Sequence, residues 1–421
     1  MGIESGTMSS FEKWLTMALL CLSGSIIFWL PYFSEIFYVP MQEAFGFSHA
    51  QMGALMTVFG TVSFLGYFPG GWLADYYSPR KLITTGLVIT STGGFVFSTI
   101  PSFTVTIVIY GVWGLSGAFI FWAAMIKATR NWAAEDEQGK AFGALEGGRN
   151  IVDLASTSCL LAIFAFRGGD GAALNDPILA LSAACLLLAV LVWNVMRDVT
   201  PEHDASQERR PIIEIEKLKA VLRLPIIWLI GLIIMTAYCG LWGSIYFTPY
   251  ATDIYELGNV GGGVVGMVKY AIAFVVAISA GLVADKFGTA RVIAWFFAIM
   301  TGGYVIFALV PGGPGLLLLL IVNGVLITAA VFALRGTYYS LLEQGGVPIA
   351  MTGTAVGVIS VMAYSPTIYL PVLVGMILDA NPGALGYQYL YMVIAGINFI
   401  GLGAAIVVYR KIQFSPAVSA T

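Results

Sequence analysis

A chain of 421 residues that is 58% hydrophobic and only 10% charged cannot fold as a water-soluble domain, in which about a quarter of residues are charged. Its mean hydropathy of +0.87 places it in a bilayer. The net charge of -3 comes without a basic surface suited to nucleic acid. Two histidines and four cysteines, the latter (Cys21, Cys159, Cys185 and Cys239) all within apolar runs, offer no metal spacing and no disulfide framework. No cofactor is expected.

The chain is short and polar up to Ser10. The first apolar run is long enough to span and lacks a small-residue cleavage site, so no removable signal peptide is expected. Twelve spans of about twenty residues or more follow, over 14–38, 50–70, 82–100, 104–129, 141–165, 177–196, 225–250, 260–283, 290–310, 315–341, 350–378 and 387–409. The predicted fold is all-α: twelve transmembrane helices in two pseudo-symmetric bundles of six. Residues 1–196 form the first bundle, 197–224 a cytoplasmic loop and 225–421 the second bundle. Within that loop "IIEIEKLKAVLRL" reads either as an amphipathic surface helix or as a plain tether.

Charge fixes the expected orientation. If the spans alternate, the loop Lys and Arg residues fall on one side, among them Lys13, Arg80, Lys81, Arg130, Lys140, Arg209, Arg210, Lys286, Arg291, Arg410 and Lys411. Arg167 stands alone on the other side. Positive loops stay in the cytoplasm, so both termini are expected there, with the chain in the cell inner membrane.

Two phrases recur half a chain apart. "PYFSEIFY" (31–38) ends span 1 and "PYATDIYE" (249–256) ends span 7. Pro31 and Pro249 are expected to bend their helices, Tyr32 and Tyr250 to close a cavity, and Glu35 and Asp253 to stand at the outer mouth. Interfacial tyrosines and solvated acids are the plain alternative. "GGWLADYYSPRK" lies between spans 2 and 3, and "AGLVADKFGTAR" between spans 8 and 9. Six plus six spans with internal repeats is the organisation of transporters that rock two bundles about a central site.

"GGWLADYYSPRK" resembles the loop signature of the major facilitator superfamily, Gly-x-Leu-Ala-Asp-Arg-x-Gly-Arg-Arg. Gly71, Leu73, Ala74 and Asp75 match, with Arg80 and Lys81 as the basic pair. Tyr76 stands where the family has Arg, and Ser78 where it has Gly. The second copy keeps Gly281, Ala284, Asp285, Lys286, Gly288 and Arg291. The resemblance implies a gating role for Gly71, Asp75, Arg80, Gly281, Asp285 and Arg291, through contacts that break as the cytoplasmic side opens. It also implies a chain that works as a monomer. Span 4 has no Arg before its glycines, span 5 no Gly-Pro antiporter signature, and spans 5 and 11 no nitrate signature, which weakens the drug-efflux and nitrate readings.

An ionisable group inside a span costs roughly 2.5–3.5 kcal/mol near a helix centre and needs a partner or a purpose. Lys127 in span 4 either contacts substrate or snorkels to the interface. In span 5, Glu146, Arg149 and Asp153 share one helical face. They are either a self-neutralising structural triad, or an anion site at Arg149 with a titrating acid beside it. Gly147 and Gly148 make room along that face. Lys269 in span 8 has no acid nearby in sequence and is assigned to a cavity. Arg335 in span 10, one turn before Tyr338 and Tyr339, is the other cation at depth.

Deep cations favour an anionic cargo, because guanidinium forks bind carboxylate, sulfonate and phosphate. The family members most alike are bacterial organic-anion and sugar-acid permeases, commonly proton symporters. The expected partners are therefore a small anionic substrate, a proton and the lipid bilayer. The substrate residues are Arg149, Lys269, Arg335, Lys127, Tyr32 and Tyr250; the proton carriers are Glu146, Asp153 and Glu35. The alternative is an exporter or exchanger of a neutral or amphipathic compound, with the membrane charges structural. An enzyme is not expected: no nucleophile–base pair or metal cluster is in view.

Overall fold

The computed structural model describes residues 10–132, 137–197, 215–348 and 351–413. Among them all regular secondary structure is helical, without a β-strand. A span in lipid must satisfy its own backbone hydrogen bonds, which a helix does. The first half holds α1 (Ser10–Trp29), α2 (Ser34–Phe45), α3 (His49–Tyr76), α4 (Pro79–Phe97), α5 (Phe103–Gly114), a π-helical stretch (Leu115–Trp122), α6 (Ala123–Trp132), α7 (Gln138–Phe166) and α8 (Asn175–Val195). The second holds α9 (Ile215–Leu222), α10 (Pro225–Ile245), α11 (Phe247–Asp253), α12 (Gly258–Phe287), α13 (Thr289–Leu309), α14 (Leu317–Thr337), α15 (Leu341–Gln344), α16 (Thr352–Ala363), α17 (Pro366–Ala380) and α18 (Ala384–Gln413).

Ten helices or helix runs among the described residues are long and apolar enough to cross a membrane. Expected spans 2 and 3 fall on α3 and α4, which are 28 and 19 residues long. The helices outrun the predicted limits, most clearly in span 1, where α2 continues to Phe45. Of the central loop, α9 covers the latter part of the stretch read as amphipathic. Arg209 and Arg210 lie outside the described residues.

Several spans are not continuous. Leu30 to Phe33 form a turn between α1 and α2, Tyr246 separates α10 from α11, and Tyr364 and Ser365 separate α16 from α17. Pro31 lies inside the first break, as expected. In the second copy the break precedes Pro249 by three residues. Proline denies a bond to the carbonyl four residues back, here Ile245, the last residue of α10. Gly288 joins α12 to α13 at φ +87°, a left-handed conformation that favours glycine.

The described chain divides into two compact units. One takes residues up to Phe47 and Val58–Asp204; the other takes Ser48–Thr57 and Ala205–Thr421. Within the first, α4 packs on α8 and α1 on α7 and α8. Within the second, α13 packs on α18 and α10 on α16 and α18. These are the same pairings at equivalent span positions, so the sequence repeat is also a repeat of packing. Exposed Leu186, Leu187 and Val190 on α8, and Leu318, Ile321 and Val322 on α14, form apolar bands suited to lipid.

Candidate functional site

In the first unit the site is built on α7 and α1. Glu146, Arg149 and Asp153 are brought to one face of α7 by the helical period. Arg149 Nη1 donates to Glu146 Oε1 at 3.0 Å. Asp153 takes a different partner: its Oδ1 accepts the indole N–H of Trp29 at 3.1 Å. Glu35, 9% exposed, lies within electrostatic reach of Asp153. Sequence reasoning brought Glu146, Arg149 and Asp153 together but placed Glu35 at the outer mouth and missed the tryptophan, because that pairing is between residues 124 apart.

The α1 face opposite is made of small residues up to Trp29. Cys21, Gly24, Ser25 and Trp29 recur at helical spacing. Ser25 Oγ donates to the Arg149 carbonyl at 3.1 Å. A Cβ on Gly24 would stand 3.2 Å from Arg149 Cδ and 3.3 Å from Nε. A Cβ on Gly148 would meet Cys21 Sγ at 2.4 Å, whereas one on Gly147 would meet nothing within 4 Å. Of the two glycines expected to make room, Gly148 is the one at the close approach.

A third element completes the surroundings of Arg149. Its Cζ lies 5.5 Å from the ring centroid of Trp122, a cation–π distance. Trp122 closes the π-helical stretch Leu115–Trp122. Such stretches are rare and gather at functional sites. Arg149 Nε is buried and has no acceptor. The guanidinium is thus fixed by an acid, an aromatic face and a glycine, with one buried donor left over.

The remaining expected residues of this unit are dispersed. Tyr32 is half-buried, its ring edge-on to Phe59 at 5.3 Å. Lys127, read as either a substrate contact or an interfacial cation, donates to the carbonyl of Ala74 at 2.5 Å, near the end of α3. Arg80 stacks over Trp193 of α8 at 4.4 Å. Gly71 is exposed with open space around it, and the side chain of Asp75 lies outside the described residues.

In the second unit Lys269 is 6% exposed and its Nζ sits 5.1 Å from the ring of Tyr270. Adjacent residues on a helix face apart by about 100°, and the long lysine stem bridges the difference. Arg335 is exposed, its Cζ 5.5 Å from the Phe332 ring. Tyr250 is fully buried, packed on Tyr255, Tyr387 and Tyr391. Asp253 accepts from Tyr387 at 2.5 Å and lines a cavity of about 280 Å³ with His49, Asp379 and Asn381. The two acids of the repeated phrase therefore have different surroundings. Gly281 has open space around it and Asp285 is exposed. Arg291 reaches the Tyr409 hydroxyl at 3.3 Å. Among the described residues no group of three or more His, Cys, Asp or Glu is placed to hold a metal ion.

Repeated helix bundles, interrupted spans and ionisable groups held at bilayer depth define a multi-pass membrane transporter. The chain belongs to the Major Facilitator Superfamily, whose profile matches residues 14–371. It is similar to the inner membrane protein YihN of Escherichia coli (strain K12), 25% identical over 418 residues, 96% of this chain and 97% of that one. A probable hexose phosphate transport protein of Chlamydia muridarum (strain MoPn / Nigg) is 22% identical over 192 residues, 42% of this chain and 40% of that one. In fold it resembles a bacterial homologue of the human lysosomal transporter Spinster, with a TM-score of 0.78 at 15% identity, covering 97% of this chain and all of that one.

Proposed function

We propose that the protein carries a small organic anion, of sugar-acid, carboxylate or sulfonate type, across the bacterial inner membrane by alternating access, as a proton symporter. It works as a monomer with both termini in the cytoplasm. The observation that carries the reading is the buried, acceptor-free Nε–H of Arg149. A buried donor without a partner costs about 1–3 kcal/mol, and an anion on this guanidinium would remove that cost.

The Glu146 partner does not fill the site. Its side chain is 61% exposed, and exposed pairs of this kind are worth about 0.2–1 kcal/mol. An incoming carboxylate or phosphate, bound by a two-pronged guanidinium, outcompetes it. Asp153 supplies the coupling. Its negative charge, held by Trp29, offsets Arg149; a proton on it leaves the guanidinium's charge to the cargo. The inner membrane location of YihN and the hexose phosphate named for the Chlamydia muridarum protein agree with this reading.

The test is a thermal-shift panel on the purified full-length protein, with sugar acids, small carboxylates, sulfonates, hexose phosphates and matched neutral sugars. Ligands that bind the folded state raise its apparent stability. The expected result is a shift from one anion class that disappears in Arg149→Gln. Shifts from neutral compounds alone, retained in that variant, would overturn the proposal and make the membrane charges structural.

A further inference from the structure

The indoles of the first unit differ in what their N–H groups do. Trp29 donates to Asp153, Trp113 to the carbonyl of Thr90 and Trp132 to that of Lys13. Trp122 makes its contacts through the ring alone. Phe28 lies edge-on at 6.0 Å, Tyr67 edge-on at 6.3 Å, and Arg149 Cζ stands 5.5 Å from the ring centroid. Among the described residues its indole N–H meets no acceptor. An indole N–H can only donate, and in a packed ring it usually has a partner.

Arg149 has a matching surplus on one edge. Among the described residues its side chain has one hydrogen-bond partner, Glu146, on Nη1. The N–H of Nε points away from Cδ, alongside an N–H of Nη2, and the two form a fork. Nε is buried without an acceptor, and Nη2 has none either. The open side of this cluster is aqueous: Glu146 is 61% exposed, and an ionised carboxylate is not left facing hydrocarbon. Half-buried Phe28 and exposed Tyr67 flank Trp122 and bring no charge.

These donors come from two elements, α7 and the π-helical stretch, and together they constrain the shape of what they bind. A carboxylate is planar and spends both oxygens on a guanidinium fork. A phosphate ester, sulfate ester or sulfonate is tetrahedral. Two of its oxygens take the fork, and the third stands out of the fork's plane, where a donor from another element can meet it. A hydrogen bond to a charged oxygen is stronger than one between neutral groups, and stronger again among apolar rings. The indole N–H therefore distinguishes an anion with a third oxygen from one without.

We infer that Trp122 binds the charged group of the cargo, its indole N–H serving the third oxygen of a tetrahedral oxyanion held on the Arg149 fork. The protein then selects phosphate esters, sulfate esters or sulfonates over carboxylates. This inference rests on the anion reading above and narrows it, and the experiment lets it fail while that reading stands.

The experiment is isothermal titration calorimetry on the full-length protein, wild type, Trp122→Phe and Arg149→Gln. Four probes are used: glucose 6-sulfate, glucose 6-phosphate, glucuronate and methyl glucoside. The three anions carry their charge at the same end of one sugar frame. Glucose 6-sulfate has the same single charge as glucuronate, so that pair isolates the third oxygen. Wild type is expected to bind both tetrahedral anions about tenfold or more tighter than glucuronate. Trp122→Phe keeps a ring beside Arg149 and loses the N–H; it should weaken both by about tenfold and leave glucuronate unchanged. Arg149→Gln should weaken all three. The tighter of the two tetrahedral anions names the chemical source, and either order supports the inference when both exceed glucuronate. Glucose 6-sulfate no tighter than glucuronate in wild type would overturn it without any variant, while anions still lost in Arg149→Gln would leave the anion reading standing. A preference kept in Trp122→Phe, or an equal loss there for all three anions, would reduce Trp122 to a wall of the site and overturn the inference too. Methyl glucoside binding as tightly as the anions, or no binding of any probe, would overturn the anion reading and this inference with it.

Discussion

Asp379 holds the backbone of His49. Its Oδ1 accepts the His49 N–H at 2.9 Å, and its Oδ2 accepts that of Ala50 at 2.8 Å. His49 opens α3, so these are among the N–H groups a helix start leaves without partners. The cap therefore comes from α17, 330 residues away. Both residues belong to the second unit, although most of α3 belongs to the first. Asp379→Ala should destabilise the protein by about 0.5–2 kcal/mol, the usual worth of such a cap. The check is the thermal midpoint of purified wild type and variant; no change would mean that the carboxylate is idle.

Two glycines let the capped segment lie against α17. A Cβ on Gly53 would come within 2.2 Å of the Pro371 carbonyl oxygen, and one on Gly375 within 2.2 Å of the His49 carbonyl oxygen. Backbone cannot yield as a side chain can. Gly375→Ala is expected to cost about 1–3 kcal/mol through overpacking, more than removal of the cap. A variant as stable as wild type in the same melt would show that the approach is looser than this.

Arginine and lysine should not be exchangeable at position 149. Lysine keeps the charge but loses the planar fork and the Nε–H that stands buried beside Gly24. The loss in glucuronate affinity should be about tenfold for Arg149→Lys and about a hundredfold or more for Arg149→Gln. Equal affinities for the two variants in titration calorimetry would reduce the role of Arg149 to its charge or to none.

The parts legible in the sequence are those with local causes. Span positions follow from apolar length, and the repeat from polar loops whose turn chemistry is written in a few residues, such as Gly288. Glu146, Arg149 and Asp153 share a face because the helical period puts them there. What the sequence hid depends on tertiary contact. The π-helical stretch "LSGAFIFW" is apolar throughout and carries no periodic signal, so the aim of Trp122 at Arg149 was invisible. Trp29 has no local mark as the partner of Asp153. Tyr32 and Tyr250 hold the same place in the repeated phrase, and only burial by neighbouring helices makes the first half-buried and the second core.

Lys127 shows how a cation at depth can be structural. Its Nζ donates to the Ala74 carbonyl, near a helix end that leaves carbonyls without partners and favours a positive charge. Lys127→Met should therefore lower stability by about 1–3 kcal/mol and leave glucuronate affinity unchanged. A loss of affinity without a loss of stability would return Lys127 to the substrate site.

The approach of α1 to α7 can be tested as a pair. Cys21 Sγ would lie 2.4 Å from a Cβ on Gly148, and its thiol faces the carbonyls of Ala144 and Leu145. Gly148→Ala alone should cost about 1–3 kcal/mol, because the sulfur occupies the space the methyl needs. Cys21→Gly opens that space, and the double variant should regain about 1 kcal/mol relative to the sum of the single changes. Since Arg149 follows Gly148 directly, anion affinity should fall in Gly148→Ala and return in the double variant. Strict additivity in both stability and affinity would mean that the two helices do not meet through these residues, and that the position of Arg149 is set elsewhere.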